Sequence, residues 1–493
     1  MRALAALMLL ALVPMRAAGA PYAALRPQDS VLAGPTDGTV AALHYNPAAL
    51  RLSRGFRIEV QLNLQGFVGH YQRLAPLPAG FAPGSAASPA PATPIRWVVP
   101  GYLIGGLWDL GTETVTLGAA VSTPYHDGTL YAPEDEAALQ HLPTRYHAIR
   151  NSAYTLWGTT GVGVRIQPWL HVGGGFHFAW MRLRRHLLRD PDPDHPDGLP
   201  CGDPMRCEQW AARQQVRLDL SEWGFGFSVG MLLVPDERHL WLGASFTSTS
   251  YLRGGTVSGQ PPAEAPPCMA EPLPAWQGVQ AAAGNQVCHG AAALATSLPH
   301  LVHLGGRLRL PGATGRHRPA HLELTALLRL AIPPRQDDEL HLERRALVPL
   351  ALPPSQIVAT GEQTAVAAEL GLRQLWPRLQ LGQAVLYESP RARIEAITPA
   401  AIHGHRLDLS ATVRASLHRA VQLLLTAGTT FVLVPEGAGA RFAAETAAAC
   451  RAAAYDPTSA ACREAQDGWA QPPAAGRYEL AIPHGAAGIE VTL

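Results

Sequence analysis

The chain has 493 residues, 39 basic and 38 acidic, a net charge of +1, and 47% hydrophobic against 16% charged residues. Every basic residue is Arg and there is no basic tract, which argues against a nucleic-acid partner. The length admits several soluble domains or one large barrel, and the low charged fraction suits a surface carrying an apolar band.

The first residues read Met1, Arg2, an apolar run from Ala3 to Val13, Pro14, and small residues from Ala17 to Ala20. That is the pattern of a secretory signal peptide. Pro21 disfavours cleavage after Ala20, so residues 1–19 are expected to be removed. Beyond them no run reaches the ~18 apolar residues of a spanning helix, so the exported chain is expected to lack a helical anchor. Secreted, periplasmic and outer-membrane fates stay open at this point.

From Phe56 the chain alternates. Phe56, Ile58, Val60, Leu62 and Leu64 fall on one face, while Arg57, Glu59, Gln61, Asn63 and Gln65 fall on the other. The pattern predicts strands over Phe56–Arg73, Ile95–Leu107, Val115–Thr123, Ala153–Ile166, Leu170–Arg185, Val216–Leu233 and His239–Arg253. It continues over Leu301–Leu310, His321–Leu330, Ala365–Leu375, Leu379–Ser389, Arg406–Leu417, Val421–Val434 and Arg477–Thr492. Long connections at 74–94, 124–152, 186–215, 254–300, 331–364, 390–405 and 435–476 alternate with short turns. About fourteen strands with this alternation predict an all-β fold, a transmembrane antiparallel barrel with short periplasmic turns and long extracellular loops. A half-buried soluble sheet would share the two-faced strands, though it has no reason to alternate its loops. Trp108, Trp169, Trp241 and Trp376 sit at or beside short turns and are expected to form one interfacial girdle.

The six cysteines fall within three long loops as Cys201 and Cys207, Cys268 and Cys288, and Cys450 and Cys462, none inside a predicted strand. Local disulfides are the simplest pairing for an exported chain, and metal-ligand spacing is missing. Gly226 to Gly230 matches G-x-S-x-G, but Met231 to Val234 continues a strand where a nucleophile elbow needs a helix, so packing or curvature explains the glycines. The aspartates of DPDPDHPDG, Asp190 to Asp197, lack the turn glycine and closing Glu of a calcium loop. No catalytic residue, metal or cofactor is expected, and the chain reads as a non-enzyme.

Asn46, Pro47 and Ala48, the start of NPAAL just ahead of the first strand, together with VTLGAAVSTPY, TGVGVRIQPWLHVGGGF and the run from WGFGFSVG to YLRGG, resemble the FadL and TodX family of outer-membrane transporters for long-chain fatty acids and other hydrophobic compounds. The resemblance extends over nearly the whole mature chain through SLPHLVHLGGRLRL and LGQAVLYESPRA. It implies a fourteen-stranded barrel over 54–493 closed by an N-terminal hatch at 20–53 that carries the NPA signature. It also implies ligand capture on the loops at 186–215 and 254–300 and sideways release at a kinked third strand, here Val115–Thr123. One departure is the final Leu493, where such barrels end in an aromatic residue.

The expected function is uptake of hydrophobic small molecules, of fatty-acid or hydrocarbon class, across the bacterial outer membrane. Lipid and the barrel assembly machinery are the expected partners of a monomer. Met205, Trp210, Met269 and Trp276 offer apolar loop surface for such a ligand, and loop packing around the cysteines accounts for them equally well. Arg57, Arg307 and Arg373 lie on polar strand faces where they could meet a ligand carboxylate; solvated lumen lining is the plain alternative. A general porin and a secreted β-rich adhesin are the rival readings.

Overall fold

The computed structural model describes residues 31–75, 77, 86–124, 126–131, 139, 141–145, 147–189, 214–236, 238–248, 251–252, 256–260, 288–311, 319–333, 338–342, 355–358, 363–394, 397–399, 402–439 and 474–493. Its strands are β1 (Phe56–Arg73), β2 (Thr93–Trp108), β3 (Val115–Ser122), β4 (His126–Leu130), β5 (Arg150–Gln167), β6 (Leu170–Arg189), β7 (Gln214–Asp236), β8 (Leu240–Thr247), β9 (Tyr251–Leu252) and β10 (Thr256–Gln260). They continue as β11 (Cys288–Ser297), β12 (His300–Pro311), β13 (His321–Ile332), β14 (Asp338–Leu342), β15 (Ser355–Val358), β16 (Ala365–Leu375), β17 (Leu379–Glu388), β18 (His405–His418), β19 (Val421–Leu433) and β20 (Gly476–Thr492).

The wall runs β1-β2-β3-β5-β6-β7-β8-β12-β13-β16-β17-β18-β19-β20, and β20 pairs antiparallel with β1 to close a 14-stranded barrel. Closure removes the unpaired edge that an open sheet would leave. At the seam between the first and last strands, Leu493 N–H donates to the Phe56 carbonyl at 2.8 Å, so the non-aromatic terminus still completes a rung.

The faces are inverted relative to a soluble sheet. Val60 and Leu62 on β1 are 48% and 53% exposed, whereas Gln61 between them is 1% exposed. The same division holds on β18, where Leu409 points out and Asp408, Ser410 and Thr412 point into the lumen. An outward belt of Leu, Val, Ile and Phe around a closed cylinder is a surface made for lipid, because burial of apolar area against hydrocarbon replaces burial in a core. The soluble adhesin reading has no use for such a surface.

Several expected details change. β8 stops at Thr247, short of the expected Arg253, and the chain then makes β9, β10 and β11 before β12 returns to the wall. Among the described residues six short strands, β4, β9, β10, β11, β14 and β15, lie outside the wall order, inside the long connections. Cys288 opens β11, so this cysteine is in a strand after all. Trp108 and Trp169 face outward at the short-turn end as a girdle requires, but Trp241 is 5% exposed and points into the lumen. Its position on β8 gives it inner-face parity with Gly243 and Ser245, a constraint that closeness to a turn does not reveal.

Candidate functional site

Residues 31–53 fill the lumen at the short-turn end. The segment is a four-residue helix α1 (Ala42–Tyr45) followed by a 3-10 turn (Pro47–Leu52), and Val31, Val40, Ala42, Leu43, Ala48, Ala49 and Leu50 are buried against the inner wall. Asn46 explains the junction. Its backbone is extended (φ −163°), its Oδ1 accepts from Ala48 N–H at 3.1 Å, and Pro47 follows at the first helical position, where a missing N–H costs nothing. Its Nδ2 donates to the carbonyls of Pro35 at 2.8 Å and Met231 at 3.0 Å, so one side chain caps the turn and ties it to β7.

Other ties spread around the ring. Val31 N–H donates to Thr412 Oγ1 at 3.0 Å on β18, Ser245 Oγ on β8 donates to the Tyr45 carbonyl, and Arg51 Nε donates to the Glu113 carbonyl at 2.7 Å. Asp37 accepts a two-pronged contact from Arg373 on β16, at 2.6 and 2.8 Å, and a third bond from Arg307 on β12 at 3.1 Å. Burial alone would raise the Asp37 carboxyl, but Arg373, with help from Arg307 and Arg414, holds it below the ordinary carboxylate value. His44 on α1 packs among Tyr45, Trp157 and His303, and burial followed by the neighbouring His303 and His177 holds it well below 6.5.

Close approach of this plug depends on glycines that face inward. A Cβ on Gly230 would lie 2.0 Å from Asn46 Oδ1, one on Gly173 2.4 Å from Ala48 N, and one on Gly243 2.4 Å from the Pro35 carbonyl oxygen. Gly230 is the last glycine of the G-x-S-x-G run, which stays inside β7, so its role is space for the plug. Sequence reading did not connect these positions. The available signal was glycine at lumen parity in neighbouring strands: Gly163, Gly173, Gly230, Gly243 and Gly305.

Above the plug, toward the long loops, one side of the lumen is apolar, while Arg329, Glu388 and Arg391 form a buried charged group elsewhere at that end. Phe67 and Tyr71 of β1, Ile95 and Val99 of β2, Val432 of β19, and Tyr478 and Ile482 of β20 pack with loop residues such as Leu142, Ile149 and Ile402. The inner face of β1 therefore changes from polar Glu59, Gln61 and Asn63 to aromatic Phe67 and Tyr71 along one strand.

Beside this apolar mass the wall has a seam. β2 pairs with β1 along its length, from Phe56 opposite Trp108 to Tyr71 opposite Thr93, but pairs with β3 only from Leu103 to Trp108. At the last rung Thr123 N–H donates to the Tyr102 carbonyl at 3.0 Å while Tyr102 N–H donates to the Thr123 side chain, Oγ1, at 2.8 Å, and Pro124 follows. β4 lies near β2 yet, among the described residues, pairs only with β5. Alternate residues of a strand turn their N–H groups the same way, so Pro100 and Pro94 direct their ring nitrogens to the side that Tyr102 faces, the unpaired one. Proline is tolerated there because no ladder bond is lost.

The expected site residues separate accordingly. Asn46, Pro47 and Ala48 meet at the plug's tightest contact. Arg307 and Arg373 face the lumen but bond Asp37, and Arg57 pairs with Glu490 at 3.2 Å. Met205, Trp210, Met269 and Trp276 lie outside the described residues, as do Cys201, Cys207, Cys268, Cys450, Cys462, the Cys288 side chain and the aspartate-rich loop. Among the described residues no group of three or more His, Cys, Asp or Glu is arranged to hold a metal.

No protein-family model and no curated protein sequence matches the chain. Solved structures do. The chain is similar to a Pseudomonas aeruginosa FadL homologue at 12% identity and a TM-score of 0.68, covering 97% of this chain and 99% of that one. It is similar to the P. putida toluene transporter TodX at 11% identity and 0.57, covering 94% and 99%, and to the Ralstonia pickettii toluene transporter TbuX at 10% identity and 0.55, covering 94% and 99%. At such identities the likeness is one of fold, over 94% to 97% of this chain.

Proposed function

We propose that the chain is a non-enzymatic outer-membrane channel that takes up hydrophobic small molecules and closes its lumen with the segment at 20–53. The observation that carries this reading is the lumen itself: it is plugged at the short-turn end, holds an apolar cluster against β1, β2, β19 and β20 at the other, and is bordered there by the unpaired edge of β2. A general porin keeps a polar, water-filled lumen. Here an aqueous path is blocked, whereas an apolar solute gains roughly 0.8 kcal/mol per methylene transferred from water. The structural neighbours, a FadL homologue and two toluene transporters, favour the same cargo class.

In this mechanism the loops at 186–215 and 254–300, with Met205, Trp210, Met269 and Trp276, collect the solute, and the apolar cluster receives it. The solute leaves between β2 and β4 into the membrane, because that is where the wall lacks ladder hydrogen bonds. Residues 1–19 act as the export signal, the cysteines pair within their loops, and the assembly machinery inserts a monomer. The test is paired. Purified protein in planar bilayers should be nearly silent to ions while cells expressing it take up a hydrophobic solute, and deletion of residues 20–53 should open an ion pore. Porin-like conductance from the intact chain, unchanged by the deletion, would replace this reading with a general porin.

A further inference from the structure

Between the plug and the lower wall lies a cavity of about 390 Å³ lined by eight arginines, Arg51, Arg54, Arg57, Arg165, Arg307, Arg309, Arg373 and Arg414, and by two carboxylates, Asp37 and Glu323. Two further carboxylates reach the lining arginines from outside it, Glu490 on Arg57 and Glu113 on Arg165 at 2.9 Å. Three of the eight, Arg51, Arg54 and Arg414, make no ion pair with a carboxylate among the described residues, although Asp109 lies near enough to act on Arg51 and Arg54 and Glu59 on Arg414. Arg51 is 2% exposed, bonds only a backbone carbonyl, and leaves Nη1 buried without a partner. Arg414 lies near enough to Asp37 and Glu59 to act on their carboxyls but makes no hydrogen bond or ion pair with either. Confined guanidinium groups in excess of the carboxylates around them make an anion site, and guanidinium geometry suits a two-oxygen acceptor.

We propose that this vestibule binds an oxyanion, a carboxylate or phosphate, which takes Arg414 as its first partner and competes with Asp37 for Arg373. The plug is then released by what enters from below or by the head group of what passes from above. Asp37 is the plug's own occupant of that site, and its three bonds to Arg373 and Arg307 are what an incoming oxyanion replaces. This rests on residues 31–53 being the channel's closure, though not on the identity of the cargo.

The experiment is titration calorimetry on the purified full barrel in neutral detergent, with inorganic phosphate, acetate, octanoate and uncharged octanol as probes. Arg414→Gln, whose side chain makes no hydrogen bond to lose, should bind the anions about tenfold more weakly or worse, since a hydrogen bond to a charged group is at stake. Its octanol binding should be unchanged. Asp37→Asn should tighten anion binding by freeing Arg373. Equal binding of phosphate and acetate would assign a free small anion, whereas a preference for octanoate over octanol that Arg414→Gln abolishes would assign a cargo head group. Absence of saturable anion binding, or binding indifferent to both substitutions while heat-modifiable migration shows folded barrels, overturns the site. Continued hydrophobic uptake in that case would leave the transport reading standing.

Discussion

Gly230→Ala isolates the plug from the barrel. The added Cβ would lie 2.0 Å from Asn46 Oδ1 and 3.1 Å from Pro47 Cδ, and neither atom can swing away. Asn46 is held by bonds of 2.8, 3.0 and 3.1 Å, and Pro47 is a ring at a turn. Relieving the clash means giving up those three bonds, at about 1 kcal/mol each. Residual overpacking adds about 1 to 2 kcal/mol. A loss of about 4 to 5 kcal/mol moves the seated-to-unseated ratio of the plug by about three orders of magnitude. The wall strand keeps its ladder, because only the side chain changes and it points into the lumen. The control is Gly174→Ala on the adjoining strand, where the new Cβ meets nothing nearer than the Ser228 carbonyl oxygen at 3.7 Å. Both variants should show heat-modifiable migration. Only Gly230→Ala should pass ions in planar bilayers, with flickering openings. A silent Gly230→Ala with undiminished hydrophobic uptake would refute the argument that this contact seats the plug.

An Arg at Leu409, which is 46% exposed on the lipid face, should lower folded yield by about 2 to 4 kcal/mol if it lies near the membrane midplane. An Arg at Thr412, which is fully buried and bonded to Val31 N–H, should leave the barrel folded but leaky, and the two are separated by gel migration and conductance. The depressed His44 means that the seated plug binds fewer protons there than the released one, so seating is fully favoured above pH 6.5 and weakens as pH falls below it. Ion leakage should therefore rise between pH 7.5 and about 5. His44→Gln should flatten that profile, and an unaltered profile would remove His44 as the cause. Thiol labelling of unreduced whole cells should detect almost no free thiol, and efficient labelling of all six cysteines would exclude paired loops.

The sequence by itself determined what is local. Period-two alternation set the two faces of every long strand, and the alternation of short and long connections set the antiparallel order, because both follow from backbone geometry over a few residues. The Asn46-Pro47 turn was legible for the same reason: a side-chain cap and a fixed φ act within three positions. Tertiary structure decided the rest. Asp37 finds Arg373 across 336 positions, and no periodicity marks that pair. Glycines in separate strands become one cradle only when the ring closes at the register that stacks them. Trp241 turned inward although its place beside a turn suggested a girdle, since parity along β8 outranks closeness to the membrane interface. The seam is the clearest case: Pro94 and Pro100 were visible in the chain, but whether a proline breaks a rung depends on whether a neighbour stands opposite, and β3 leaves β2 before reaching either.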